Sequence, residues 1–254
     1  MKNSVKFLLI ASITALMILL NACVKDENKD SYGISKVTTY PVLSLVNEDE
    51  ITVVYKGSQF SEPGYSAFIG EDDVTNQVKV EGTVNGNSEG MYTLNYTSTN
   101  AEGYFISKSR NVFVVAKMSN PTEDDLEGVY KSSITRINTK DNVSANRGPY
   151  SQTLTEIAPG LYVIQDLLGG WYWIGSNYGL DYAYDAIISV DNAGVVTLKW
   201  VNEHVGWNDG AYFVDENDNE DLSSGVYDAD TQTIKFSAKM GEVDYMIFKV
   251  TLKK

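Results

Sequence analysis

The chain has 254 residues and a formal net charge of −14, an acidic balance that argues against nucleic acid or anionic lipid as partners. Its length exceeds what one small β-sandwich needs and is comfortable for two modest domains. A lone cysteine, Cys23, excludes an internal disulfide and leaves packing, metal binding, catalysis, intermolecular pairing or modification as its use.

The flanks of Cys23 choose among these. Lys2 and Lys6 precede an apolar run from Phe7 to Leu20, interrupted only by Ser12 and Thr14. This is the positive n-region and h-region of a secretory signal, too short for a spanning helix. Leu20-Asn21-Ala22 stands directly before the cysteine, and the arrangement resembles the lipobox of bacterial lipoproteins. The resemblance implies a diacylglycerol on the Cys23 sulfur, a signal peptide over residues 1–22 and Cys23 as the first mature residue. Each buried acyl methylene contributes about 0.8 kcal/mol, so two or three chains would anchor the protein durably. Val24-Lys25-Asp26-Glu27 resembles the surface-export signal of Bacteroidetes lipoproteins, which implies an outer-membrane, cell-surface location. From Glu27 to about Val37 the chain is polar and lacks apolar periodicity, so residues 23–39 read as a flexible tether.

Between residues 40 and 117 short alternating segments predict an all-β module. Tyr92, Leu94 and Tyr96 alternate with Thr93, Asn95 and Thr97, while Val78, Val80 and Val84 oppose Lys79, Glu81 and Thr83. Asn85-Gly86 between the two segments predicts a tight hairpin. A closing strand is expected over Asn111 to Lys117. Pro63-Gly64, Gly90-Met91-Tyr92, the Tyr96–Asn100–Gly103 corner and Arg110 with Val112 and Val114 resemble the small bacterial Ig-like domains first noted in insecticidal crystal proteins. That implies an Ig-like β-sandwich acting as spacer or platform. Asp72-Asp73 reads as an acidic turn rather than a metal pair.

The stretch from Asn120 to Gly128 carries proline, acids and glycine without periodicity, and residues 118–127 read as a linker. From 128 to 254 strands resume. Ile234, Phe236, Ala238 and Met240 oppose Lys235, Ser237 and Lys239, and Met246, Phe248, Val250 and Leu252 oppose Lys249, Thr251 and Lys253. With five further segments they predict a second antiparallel β-domain, either a lipocalin-like barrel or a sandwich. The stretch from Leu161 to Ala186 resembles segments in C-terminal domains of Bacteroidetes lipoproteins that follow an Ig-like module, which implies a setting in glycan utilisation and an outer-membrane transporter complex as a candidate partner. All four tryptophans lie between Trp171 and Trp207. In an extended segment Trp171 and Trp173 would share one face, a platform for neutral sugar rings, with Tyr178 and Trp207 nearby and Asp166, Asn177, Asp181 or Asn208 to bond hydroxyls. The alternative is that the indoles are core.

Catalytic and metal signals are thin. His204 is the only histidine, and no Gly-x-Ser-x-Gly elbow or second metal-type histidine accompanies it. Asp181, Asp185 and Glu203 could supply paired carboxylates for a glycoside hydrolase, but acids are plentiful throughout. Asp215, Asn217 and Asn219 sit at alternate positions as in calcium loops, yet Glu220 and Val226 stand where an EF-hand needs glycine and a bidentate acid. The expectation is therefore a surface-anchored, non-catalytic lipoprotein without cofactor or metal, binding a neutral glycan or a partner protein. A structural spacer is the alternative. Replacing Cys23 with Ser should abolish acylation and leave the leader uncleaved by the lipoprotein peptidase. Equal labelling of wild type and Cys23→Ser by radioactive fatty acid would overturn the lipid anchor.

Overall fold

The computed structural model describes residues 38–203, 206, 210–215, 224–241 and 245–254. Cys23, the leader and most of the tether lie outside these residues, as do His204, Trp207, Asn208 and the acidic run from Glu216 to Asp221. Among the described residues the structure is almost wholly β.

The first seven strands are β1 (Pro41–Leu45), β2 (Thr52–Tyr55), β3 (Tyr65–Ile69), β4 (Asp72–Asp73), β5 (Lys79–Glu81), β6 (Gly90–Thr99) and β7 (Phe105–Val115). They form a three-stranded sheet, β1-β3-β4, and a four-stranded sheet, β2-β7-β6-β5, in which β2 runs parallel to β7. Leu43, Leu45 and Ala67 of the first sheet pack with Leu94, Tyr96, Val112 and Val114 of the second, the inner faces of an Ig-like sandwich. The residues that carry the Ig-like resemblance converge physically. Arg110 is buried and donates to the carbonyls of Val46 and Gly64 at 2.9 and 3.1 Å, and it pairs with Glu62 at 3.2 Å. The Tyr96 hydroxyl donates to the other oxygen of the same carboxylate. Asn100 closes the corner by accepting the N–H groups of Glu102 and Tyr104 and donating to the Thr39 carbonyl.

Two local expectations fail here. Val80 is exposed, whereas Val78 and Val84 pack against the core. Asn85-Gly86 makes no two-residue hairpin, because Glu81 pairs with Asn95 and a loop intervenes. Gly86 instead meets the 57–58 turn, where an added Cβ would lie 2.0 Å from the Ser58 carbonyl oxygen. Its glycine serves close approach rather than a positive φ.

The remaining strands are β8 (Gly128–Asn138), β9 (Val143–Ala158), β10 (Leu161–Ile164), β11 (Ala186–Val190), β12 (Val195–Val201), β13 (Ala211–Val214), β14 (Gly225–Asp228), β15 (Thr233–Met240) and β16 (Met246–Lys253). Pairing runs β15-β14-β12-β11-β10-β9-β8-β16, and β16 returns to β15, so eight strands close into a barrel. β13 adds to β15 beyond the end of β14, the two sharing one edge. Closure, which removes free edges, decides the choice between barrel and sandwich. The alternating dry faces read for β15 and β16 all point inwards, with Ile234, Phe236, Ala238, Met240, Phe248, Val250 and Leu252 in the core and Met246 packed against it.

The two modules meet through apolar surface. Phe113 and Val115, on the outer face of the four-stranded sheet, cluster with Leu161 and Ile187 on the barrel wall, and Val53, Tyr55, Met91 and Trp200 pack around them. The segment between β7 and β8 is stitched to the barrel: Thr122 N–H donates to the Val190 carbonyl, Asn192 N–H donates to the Asn120 carbonyl, and Leu126 is buried in the barrel core. This junction lies at one end of β7. The chain enters at the other, where Tyr40 packs edge-on against Tyr104 at 5.1 Å. The ten residue steps from Phe105 to Val115 span roughly 34 Å in a strand.

A long connection between β10 and β11 plugs the barrel. Leu167, Leu168, Trp171 and Tyr184 are all buried in its core. Asp166 shapes this connection: its carboxylate accepts the N–H groups of Leu168 at 3.0 Å, Gly170 at 2.7 Å and Tyr184 at 3.1 Å. Both ends of the loop are thereby tied to one side chain. Gly169 and Gly170, at φ of 70 and 95°, turn the chain where an added Cβ on Gly169 would lie 2.8 Å from Ile134.

Two outcomes follow from these contacts. The apolar junction should make both modules melt in one transition and protect residues 116–127 from limited proteolysis. Phe113→Ser should split the transition and open that segment; a wild type that melts in two separate steps would show the modules uncoupled. The second outcome concerns Asp166. Burial pushes its carboxyl up to about 6 from an ordinary 3.8, outweighing the three N–H donors that favour the ionised form. The folded protein then holds this proton more tightly than the unfolded chain, so the contribution is fully present below about pH 4 and is lost as pH rises through 6, a swing of about 3 kcal/mol. Asp166→Asn should flatten that part of the fall in melting temperature between pH 4 and 7, and identical slopes in variant and wild type would refute the assignment.

Candidate functional site

The plug ends at a barrel mouth rich in rings. Trp171 is 1% exposed, sits edge-on to Phe248 at 5.8 Å, and has no hydrogen-bond partner for its indole N–H. This corrects the platform expected for Trp171 and Trp173. The segment is not extended, since Asp166 gathers it into consecutive turns, so the two indoles do not share a face. Trp171 is core, while Trp173 is half-buried.

Exposed rings occupy other positions. Tyr172, half-buried over Phe248 at 5.9 Å, stacks on Tyr178 at 6.0 Å with an interplanar angle of 19°. Tyr178 meets Tyr182 edge-on at 5.2 Å and is 51% exposed. Ile174 and Leu180 are exposed beside this row. The row is pinned from below rather than free to collapse. Arg147 donates to the Trp171 carbonyl at 2.8 Å and to the Ser176 hydroxyl at 2.7 Å. Backbone bonds from Tyr178 N–H to the Tyr172 carbonyl and from Gly206 N–H to the Asp181 carbonyl fix the two ends. Among the residues expected to bond hydroxyls, Asp181 and Asn177 are exposed on this loop. Asp166 is wholly buried and spent on backbone, so it is not a ligand group. Asp185 accepts from the Asn202 amide at 2.8 Å.

Sequence reading missed two arginines. The Arg147 guanidinium carbon lies 4.4 Å from the Trp171 ring centroid and that of Arg136 lies 4.8 Å from it, within cation–π range. The Tyr172 phenol is pushed up by burial and pulled back by the positive charge of Arg136. The signal lay in composition, since the chain has only three arginines. Among the described residues no cluster of three or more metal-ligating side chains occurs.

Comparison with known proteins places this architecture. Residues 44–114 match the family model described as bacterial surface protein, Ig-like domain, and residues 119–254 match a model described as a C-terminal domain. No curated protein matches. Among solved structures, the lipoprotein BT2262 from Bacteroides thetaiotaomicron is 25% identical, with 85% of this chain and 100% of that one covered and a TM-score of 0.48. The M60 catalytic domain with CBM51-1 and CBM51-2 from Clostridium perfringens ZmpB is 13% identical, covering 85% of this chain and 21% of that one at a TM-score of 0.30. CBM51-2 of the same protein, in complex with GlcNAc and with INT domains, is 15% identical, covering 84% and 44% at a TM-score of 0.26. None superposes closely enough to carry an argument. The C-terminal model spans more than half of the residues, and the chain belongs to the family that this domain defines, here preceded by an Ig-like domain of bacterial surface proteins.

Proposed function

We propose that this protein is a cell-surface lipoprotein, held in the outer membrane through Cys23, whose sandwich is a rigid stalk and whose barrel mouth binds a glycan. The observation that carries the binding reading is the Tyr172–Tyr178–Tyr182 row, standing on a loop fixed by Asp166 and Arg147. Rings held at the surface by a buried anchor can stack on the apolar face of a sugar without an ordering cost. Exposed Asp181 and Asn177 supply hydroxyl partners. Between Cys23 and residue 38 the chain can reach about 50 Å when extended, and the stalk then sets the barrel further out. A spacer without ligand is the second reading, favoured by the apolar junction that fuses stalk and barrel.

The two readings separate by substitution. Tyr178→Ala, with half its surface already in solvent, should cost about 1 kcal/mol or less while reducing retention in affinity electrophoresis through polysaccharide gels. Trp171→Ala should cost about 3–5 kcal/mol and lower the melting temperature by roughly 10 °C. Migration unaffected by every polymer of the panel would retire the binding reading and leave the spacer.

A further inference from the structure

We infer that the mouth takes a sugar bearing an anionic group, a carboxylate or a sulfate, rather than the neutral sugar that composition suggests; this rests on the glycan reading above and names the ligand class of the same site. The chain treats its three arginines differently. Arg110, buried in the sandwich, has its charge met by the Glu62 carboxylate and two carbonyls. Among the described residues neither Arg136 nor Arg147 is in an ion pair, although the molecule carries an excess of acids. Both guanidinium carbons lie within 5 Å of one indole ring, that of Trp171. Two like charges beside one buried ring form a local positive field in an otherwise negative protein. Arg147 has work of its own, pinning the loop. Arg136, its guanidinium carbon 4.8 Å from the ring of Trp171, lies close enough for its charge to act on the neighbouring Tyr172 phenol, and so stands at one end of the tyrosine row. Asp181 follows at the Tyr182 end. A saccharide lying along the row would thus meet a cation at one end and a hydroxyl acceptor at the other, which fixes its direction as well as its charge. The planar guanidinium suits a carboxylate or sulfate.

Affinity electrophoresis of the full chain in neutral detergent tests this, with polygalacturonate and dextran sulfate as anionic probes and dextran and xyloglucan as neutral ones. The expected result is retention by at least one anionic polymer about tenfold stronger than by the neutral ones, despite the repulsion of the net charge. It should weaken with added salt and fall about tenfold in Arg136→Gln at unchanged melting temperature. Arg136→Lys should recover part of the loss. Polygalacturonate alone retained would assign a carboxylate, and dextran sulfate alone a sulfate. Retention by neutral polymers only, or by anionic polymers equally in Arg136→Gln, would overturn the anionic ligand while leaving the glycan site standing. Retention by none would overturn both.

Discussion

The C-terminal domain depends on a buried carboxylate. Eight strands enclose a space that side chains must fill, and here part of the filling comes from the β10–β11 connection turned inwards. A loop folded into a protein interior brings backbone N–H groups that need acceptors. Asp166 answers three of them at once. Without that convergence, burying Leu167, Leu168 and Trp171 would strand the N–H groups of Leu168, Gly170 and Tyr184 without the acceptor they have here. The surface row of rings is the far side of an interior packing solution.

The balance of charge within the molecule is uneven in an instructive way. In the sandwich, arginine, glutamate and tyrosine lock two sheets together, with the guanidinium desolvated and its charge met. At the barrel mouth the guanidinium groups lie on an indole instead, an arrangement that tolerates partial burial through the ring's quadrupole, and among the described residues neither is in an ion pair. Arg110 fastens through a carboxylate, whereas Arg147 fastens through a carbonyl and a hydroxyl.

Much of the strand pattern was legible, because period-two alternation is imposed by the pleat. Ile234, Phe236, Ala238 and Met240 had to face one way whatever the topology. The Tyr96, Asn100 and Arg110 positions were legible through family resemblance, and the structure supplies their reason: Tyr96 and Arg110 share the Glu62 carboxylate, and Asn100 closes the corner through backbone partners of its own. Barrel closure was not legible, since β16, after its hairpin with β15, finds β8 across more than a hundred residues that no local signal encodes. Gly86 misled because a glycine needed for close approach and one needed for positive φ look alike in sequence. Trp171 and Trp173 misled for a related cause: alternation applies only to extended chain, and Asp166, five residues before the first indole, had already committed the backbone to turns. Trp207 and Asn208 lie outside the described residues.

Because the junction between sandwich and barrel is apolar and its connecting segment is bonded along the barrel wall, displacing either module must break that surface or carry the other with it. Force on one module is therefore passed to the other across the contacts of Phe113 and Val115 with Leu161 and Ile187, and the direction in which the barrel opens is set by the direction of β7.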